Sequence, residues 1–181
     1  MKNIKLISVK INKLLIALLA VSMLFAFRLE NNEDEPTVKA LFIYNFTKHV
    51  EWPKGKINGK FIIGVYGNSP VFDKLTLILK DRRVKDKEVE VKRINSRDQV
   101  EACDLVFIAK SDNDKLKEIN EKADCYGVLI ITEERDMAKK GSCINIIRQD
   151  ERLKFEINDN AIKKEGLKIS SQLYELAVIV K

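Results

Sequence analysis

The chain has 181 residues, 45% of them hydrophobic and 33% charged, with a net charge of +6. This is the balance of an ordinary globular protein, and the length allows one domain with a real core. Lys2, Lys5, Lys10 and Lys13 supply four of the 33 basic residues, so the other 29 nearly balance the 27 acids. No basic face of the kind that grips nucleic acid follows from that charge, and no nucleic-acid partner is expected.

The lysine-rich start leads into residues 14–27, LLIALLAVSMLFAF. That run matches the apolar region of a signal peptide and is short of the roughly 20 residues that span a bilayer. Residues 1–27 are therefore expected to direct export to the periplasm. If uncleaved, they would remain as a membrane anchor. Either outcome places residues 28–181 outside the cytoplasm. Residues 28–36 read as a polar tether, and residues 37–181 as a single α/β domain.

Residues 38–53, VKALFIYNFTKHVEWP, hold the only tryptophan and the only histidine. Thr37 can cap them and Pro53 can end them, which predicts one helix. Val38, Leu41, Phe42, Ile43, Phe46, Val50 and Trp52 would spread over roughly 200° of its circumference, against about 100° for a surface helix. Such a helix calls for cover on more than one side.

Strand and helix signals then alternate. Residues 61–67 read as a buried strand and 72–80 as a helix with Ser69 as cap. Residues 88–94 read as a half-wet strand and 97–102 as a short helix. Residues 104–109 form a second buried strand, with a charged helix at 113–122. Residues 128–132 form a third buried strand, with a short helix at 134–140 ended by Gly141. Residues 143–147 and 153–157 pair as a hairpin across the polar turn RQDER. A last helical region runs over 159–179, broken near Gly166. Short apolar strands alternating with helices imply a mostly parallel sheet with helices on both faces. The expected fold is three-layer α/β, Rossmann-like or flavodoxin-like, with an antiparallel C-terminal hairpin.

Five stretches in order carry a resemblance: VKALFIYNFTKHVEWP, then FIIGVYGNSP at 61–70, CDLVFIA at 103–109, FEIN at 155–158 and GLKISSQL at 166–173. Together they resemble the YfiR family across nearly all of residues 36–181. The resemblance implies a periplasmic regulator, dimeric in its best-known member, which represses a membrane-bound diguanylate cyclase and responds to redox state. A membrane-anchored signalling protein is therefore the expected partner, with a homodimer beside it.

Cys103, Cys125 and Cys143 each precede or begin a predicted strand, so they would share one end of the sheet. At most one disulfide can form, Cys103 with Cys125 or Cys125 with Cys143, and three buried thiols are the alternative. The redox-controlled relatives have two bridges, which three cysteines cannot supply.

No catalytic constellation assembles. His49 sits inside the apolar arc as a packing or interface group, and no nucleophile elbow, phosphate loop or metal spacing is present. No enzyme activity, cofactor or metal is expected. Phe42, Phe46, His49 and Trp52 of the first helix, with Leu173 and Leu176 of the last, are the expected interface. The second reading is a small-molecule site at the carboxyl ends of the strands, formed by Asn68, Ser69, Ser111 and Thr132.

Overall fold

A computed structural model describes residues 34–57, 59–124 and 126–180. The expected export segment lies outside them, as does most of the tether. Helix α1 (Glu35–His49) is followed by strands β1 (Val50–Glu51) and β2 (Phe61–Tyr66) and helix α2 (Val71–Leu79). Strands β3 (Arg83–Val84) and β4 (Lys87–Ile94) come next, then a 3₁₀ turn (Arg97–Gln99) and β5 (Leu105–Ile108). A 3₁₀ segment (Lys110–Lys115) runs into α3 (Leu116–Ala123) and β6 (Leu129–Glu133). The chain closes with β7 (Ile144–Gln149), β8 (Arg152–Asn158), α4 (Asp159–Lys164), β9 (Lys168–Ile169), α5 (Ser171–Leu176) and β10 (Val178–Val180).

The main sheet of the unit Pro36–Lys181 has eight strands in the order β10-β8-β7-β6-β5-β2-β4-β3. The five strands β2, β4, β5, β6 and β7 are mutually parallel. Their spatial order is the 2-1-3-4-5 arrangement of flavodoxin-like folds. Direction reverses after β4, so right-handed crossovers put α2 and α3 on opposite faces of the sheet. The hairpin is present: β7 and β8 pair antiparallel. Its two-residue turn has Asp150 and Glu151 at φ of 52° and 59°, the paired left-handed conformation that matches strand twist.

The core strands are continuous apolar runs because both faces are covered. Ile63, Val65, Leu105, Phe107, Leu129 and Ile131 are fully buried. Gly64 interrupts this run for lack of room. A Cβ there would lie 2.9 Å from both the Cys103 sulfur and the Ile94 side chain.

Several local expectations change. The first helix begins at Glu35, with Thr37 inside it, and stops at His49 rather than Pro53. Val50 and Glu51 leave the helix to pair antiparallel with Ile169 and Lys168. Residues 134–140 are a series of turns, since Glu134 and Asp136 take φ of 100° and 67°, which no helix accommodates. The expected helix over 97–102 is only a 3₁₀ turn, and that over 113–122 starts later, at Leu116. The last helical region is two one-turn helices separated by β9, and its end is β10, parallel to β8.

The α1 side of the core is aromatic. Phe46 is 2% exposed, and its ring lies 5.0 Å from Phe155 of β8 and 5.9 Å from Phe42. Phe46→Ala should lower unfolding free energy by about 3–5 kcal/mol in a urea titration. Leu176→Ala, at a residue 74% exposed, should stay within about 0.5 kcal/mol of the wild type.

Candidate functional site

The end of α1 is fastened to the sheet at three places. The His49 carbonyl accepts the Ser170 N–H at 2.9 Å, and its ring Nδ1 lies 3.1 Å from the Ser170 hydroxyl. Ser170 also caps α5, accepting from the Leu173 N–H. Trp52 donates its indole N–H to the Asp104 carbonyl at 2.9 Å and stands edge-on to Phe61, 5.0 Å between ring centres. Pro53 fits against Gly127 and Gly166, where an added Cβ would come within 3.2 and 3.3 Å of the proline ring. Near the other end of α1, Lys39 forms an ion pair with Glu133 at the carboxyl end of β6. Both side chains are largely shielded from water, and the second Glu133 oxygen accepts the Lys110 N–H at 2.9 Å.

The first and last helices therefore meet through His49 and Ser170. Of the six residues expected at an interface, Phe46 and Leu173 are buried in the core, and Phe42 and Trp52 are half-buried and packed against it. His49 is half-buried at the junction, and Leu176 projects outward. Leu41, 38% exposed, adds an apolar side chain on α1. Tyr44 has the Lys48 ammonium 4.1 Å and the Arg82 guanidinium 4.9 Å from its ring centre. Interaction with Arg82, foremost, holds its hydroxyl below the usual tyrosine range.

The carboxyl ends of β2 and β5 form the switch point where chain direction reverses. Ser69 is buried and accepts the Val71 N–H at 3.3 Å, while Asn68 is exposed. Ser111 is exposed and donates to the Asp112 carboxylate at 2.5 Å. That carboxylate lies over Gly67 so closely that a Cβ there would sit 2.1 Å from its Oδ2. Gly67, at φ +84°, is thus required by both conformation and space. The turn at Asn68–Ser69 and the segment at Ser111 come together here. Thr132 does not join them: it is fully buried between β6 and β7, hydrogen-bonded to Asn145 Oδ1 at 2.9 Å and 2.8 Å from the Ser142 hydroxyl. Asn145 in turn donates to the Glu134 carbonyl and to Glu156, both at 2.7 Å. Asp112 and Glu133 are read at the strand ends beside Ser111 and Thr132, whereas Asn145 is missed by sequence reasoning because it works through partners in other elements. The only sequence signal is a polar residue inside or just beyond an apolar strand.

Cys103 and Cys143 are buried free thiols at the amino ends of β5 and β7. Cys103 donates to the Gln99 carbonyl at 3.4 Å. Burial pushes the two thiols up to about 11 and about 12. Both expected disulfide pairings involve Cys125, which lies outside the described residues. A thiol so far above neutrality supplies almost no thiolate and reacts slowly. Iodoacetamide at pH 8 should therefore leave Cys103 and Cys143 unmodified in the folded protein and label both after unfolding, as read by peptide mass. Labelling of either in the folded protein would contradict this burial.

Glu165 is also buried and accepts the Gly127 and Val128 N–H groups at 3.1 and 3.3 Å. Burial raises its pKa, with those two donors opposing the shift. Among the described residues no helix is long and apolar enough to cross a membrane.

A likeness of fold appears with a conserved domain protein from Vibrio cholerae O1 biovar El Tor, at 11% identity and a TM-score of 0.52. It covers 81% of this chain and 60% of that one. An ABC domain from Streptococcus pneumonia in complex with L-Trp aligns at 11% identity and a TM-score of 0.47, over 67% of this chain and 56% of that one. The chain thus spans less than two thirds of either structure. None of the curated proteins matches the sequence. The YfiR/HmsC-like family model matches residues 36–178, from the start of α1 to β10. The chain belongs to the YfiR/HmsC-like family.

Proposed function

We propose that this protein is an exported, non-catalytic regulator that binds a membrane-anchored signalling protein, of the diguanylate cyclase class, and holds it inactive. The family match over residues 36–178 carries the reading, since that family is one of periplasmic regulators. The export signal read at residues 1–27 fits the same compartment. The client would meet the surface where α1 and α5 join, through Leu41 and Leu176, with Phe42, Phe46, Trp52 and Leu173 supporting it from beneath. The His49–Ser170 contact fixes the two helices relative to each other, so the surface is preorganised and little ordering cost attends binding.

Deleting the gene should raise cellular cyclic-di-GMP, measured by mass spectrometry, and restoring it should lower the level again. Leu176→Glu should fold normally yet fail to restore, with at least about tenfold weaker retention by the membrane fraction, equivalent to ~1.4 kcal/mol. Unchanged cyclic-di-GMP on deletion, with the protein demonstrably made by the wild type, would contradict the repressor reading.

The second reading is a small-molecule sensing module at the strand carboxyl ends. In its favour, Asn113 Oδ1 is buried there without a hydrogen-bond partner among the described residues, while its Nδ2 donates to the Glu133 carbonyl at 2.8 Å. Calorimetry against a panel of amino acids and cell-wall fragments should then give saturable heat, lost in Asn113→Leu. No heat from any ligand with folded protein would count against it.

A further inference from the structure

The outer edge of β4 and the groove beside it form one open slot. We infer that this slot takes the C-terminal tail of another protein, added as an antiparallel strand with its free carboxylate toward Lys80 and Arg82. The inference goes beyond the regulatory reading and does not rest on it, since it concerns the β4 edge and not the surface at Leu41 and Leu176.

On its inner side β4 pairs with β2 along residues 89–94. On its outer side β3 pairs only with Lys87 and Glu88. Among the described residues, no strand lies outside residues 89–94. The β3–β4 turn is Lys85 and Asp86, at φ of 50° and 61°. Such a two-residue turn closes on a hydrogen-bonded pair, here Val84 with Lys87, so the Lys87 backbone points outward. Alternation then turns the backbone N–H and C=O of Val89, Val91 and Arg93 outward and aims the even-numbered residues at β2. The Gly67 N–H to Ile94 carbonyl bond at 3.4 Å agrees with that. A row of open donors and acceptors is a template for one more strand.

Strand β3 decides which end of the added strand is closed. Arg83 already faces Glu88, and just before it the chain turns away into α2, with the Arg82 N–H bonded to the Leu79 carbonyl at 3.0 Å. A strand added antiparallel to β4 runs in line with β3 and in the same direction, so its carboxyl end meets this corner and stops there. With its last residue opposite Val91, its N–H donates to the Val91 carbonyl and its carboxylate accepts the Val91 N–H. The residue two before pairs in the same way with Arg93. Nothing reaches Glu88, so β3 keeps its place.

The charge of the corner matches that direction. A groove of about 760 Å³ runs beside the edge, where Lys80, Arg82 and Arg83 outnumber Asp81 and Glu88. Arg83 spends its guanidinium on the Asp86 carbonyl. Lys80 and Arg82 are exposed, and the Tyr44 ring, 4.9 Å away, steadies the Arg82 guanidinium. These two cations favour a carboxylate, whereas a parallel strand would bring an amino terminus to them. Directly opposed residues share a sheet face. The last side chain of the tail therefore lies beside Val91, over the apolar part of the groove at Leu79 and Val89, and is apolar. The side chain two before it lies beside Arg93 and is acidic.

The test is fluorescence anisotropy of the fluorescein-labelled peptide Gly-Ser-Thr-Glu-Thr-Val, titrated with the protein as recovered from the cell envelope. Circular dichroism confirms the fold of each variant. The free-acid peptide should bind saturably, and the same peptide with an amidated C-terminus at least about tenfold more weakly. Val91→Pro removes the N–H that receives the carboxylate, spares the bonds of β4 to β2, and should abolish binding. Lys80→Glu, at an exposed residue that does not put folding at risk, should weaken the free acid at least about tenfold and the amide little. No binding by the folded protein would overturn the inference. So would equal binding of acid and amide, which would assign the edge to an internal extended segment, or binding indifferent to both folded variants.

Discussion

Asp104 is the residue through which this fold is tied together. It immediately precedes β5 at the centre of the sheet and is almost fully buried. Its N–H donates to the Ile62 carbonyl and its carboxylate accepts the Ile62 N–H, at 2.9 and 2.8 Å. Its carbonyl accepts both the Leu129 N–H at 3.0 Å and the Trp52 indole N–H at 2.9 Å. One residue thus joins β2, β5, the start of β6 and the segment just beyond α1. Burial raises the Asp104 pKa while the Ile62 donor opposes the shift. A half-compensated buried carboxyl is tolerable only where its hydrogen bonds hold several elements at once.

The consequence for function runs through α1. A helix apolar on so much of its circumference would be a loose element if it touched the sheet only by packing. Trp52 at the sheet, Lys39 on Glu133 and His49 on Ser170 fix it at both ends. Leu41 on α1 and Leu176 on α5 are the large apolar side chains left exposed on the two helices, among polar neighbours such as Asn45 and Gln172. The β4 edge lies at the far side of the sheet from β8, where Phe155 receives the α1 aromatics.

Much of this was legible in the residues. The strands at 61–66, 105–108 and 129–133 announce themselves as apolar runs too short for helices, and the hairpin is marked by its polar turn. The wide apolar arc read in α1 is only partly matched, since Ile43 and Phe46 are buried in the core, Leu41 stays exposed, and Val50 and Trp52 lie beyond the helix. The features that escaped were set by distant partners. Val50, Glu51 and Ile169 look helical in their own windows and become strand only because they pair across 119 and 117 positions of chain. Residues 134–140 have helix-forming side chains, yet their backbone turns left-handed to bring Asn145 onto the Glu134 carbonyl. Thr132 reads as a strand-end polar group free for a ligand, but Ser142 and Asn145 engage it. That Asp112 would converge with the turn at Asn68–Ser69 was legible from the strand order, but not how closely its carboxylate lies over Gly67.

Trp52 is the chain's single tryptophan, so its emission reports on the tie between α1 and the sheet without labelling. The most direct test monitors urea unfolding by Trp52 fluorescence and far-ultraviolet circular dichroism together. If Asp104 joins α1 to the sheet through Trp52, emission begins blue-shifted and the two transitions coincide with one midpoint and one slope. A Trp52 transition that precedes loss of the sheet, or emission already water-like in the native protein, would contradict that tie.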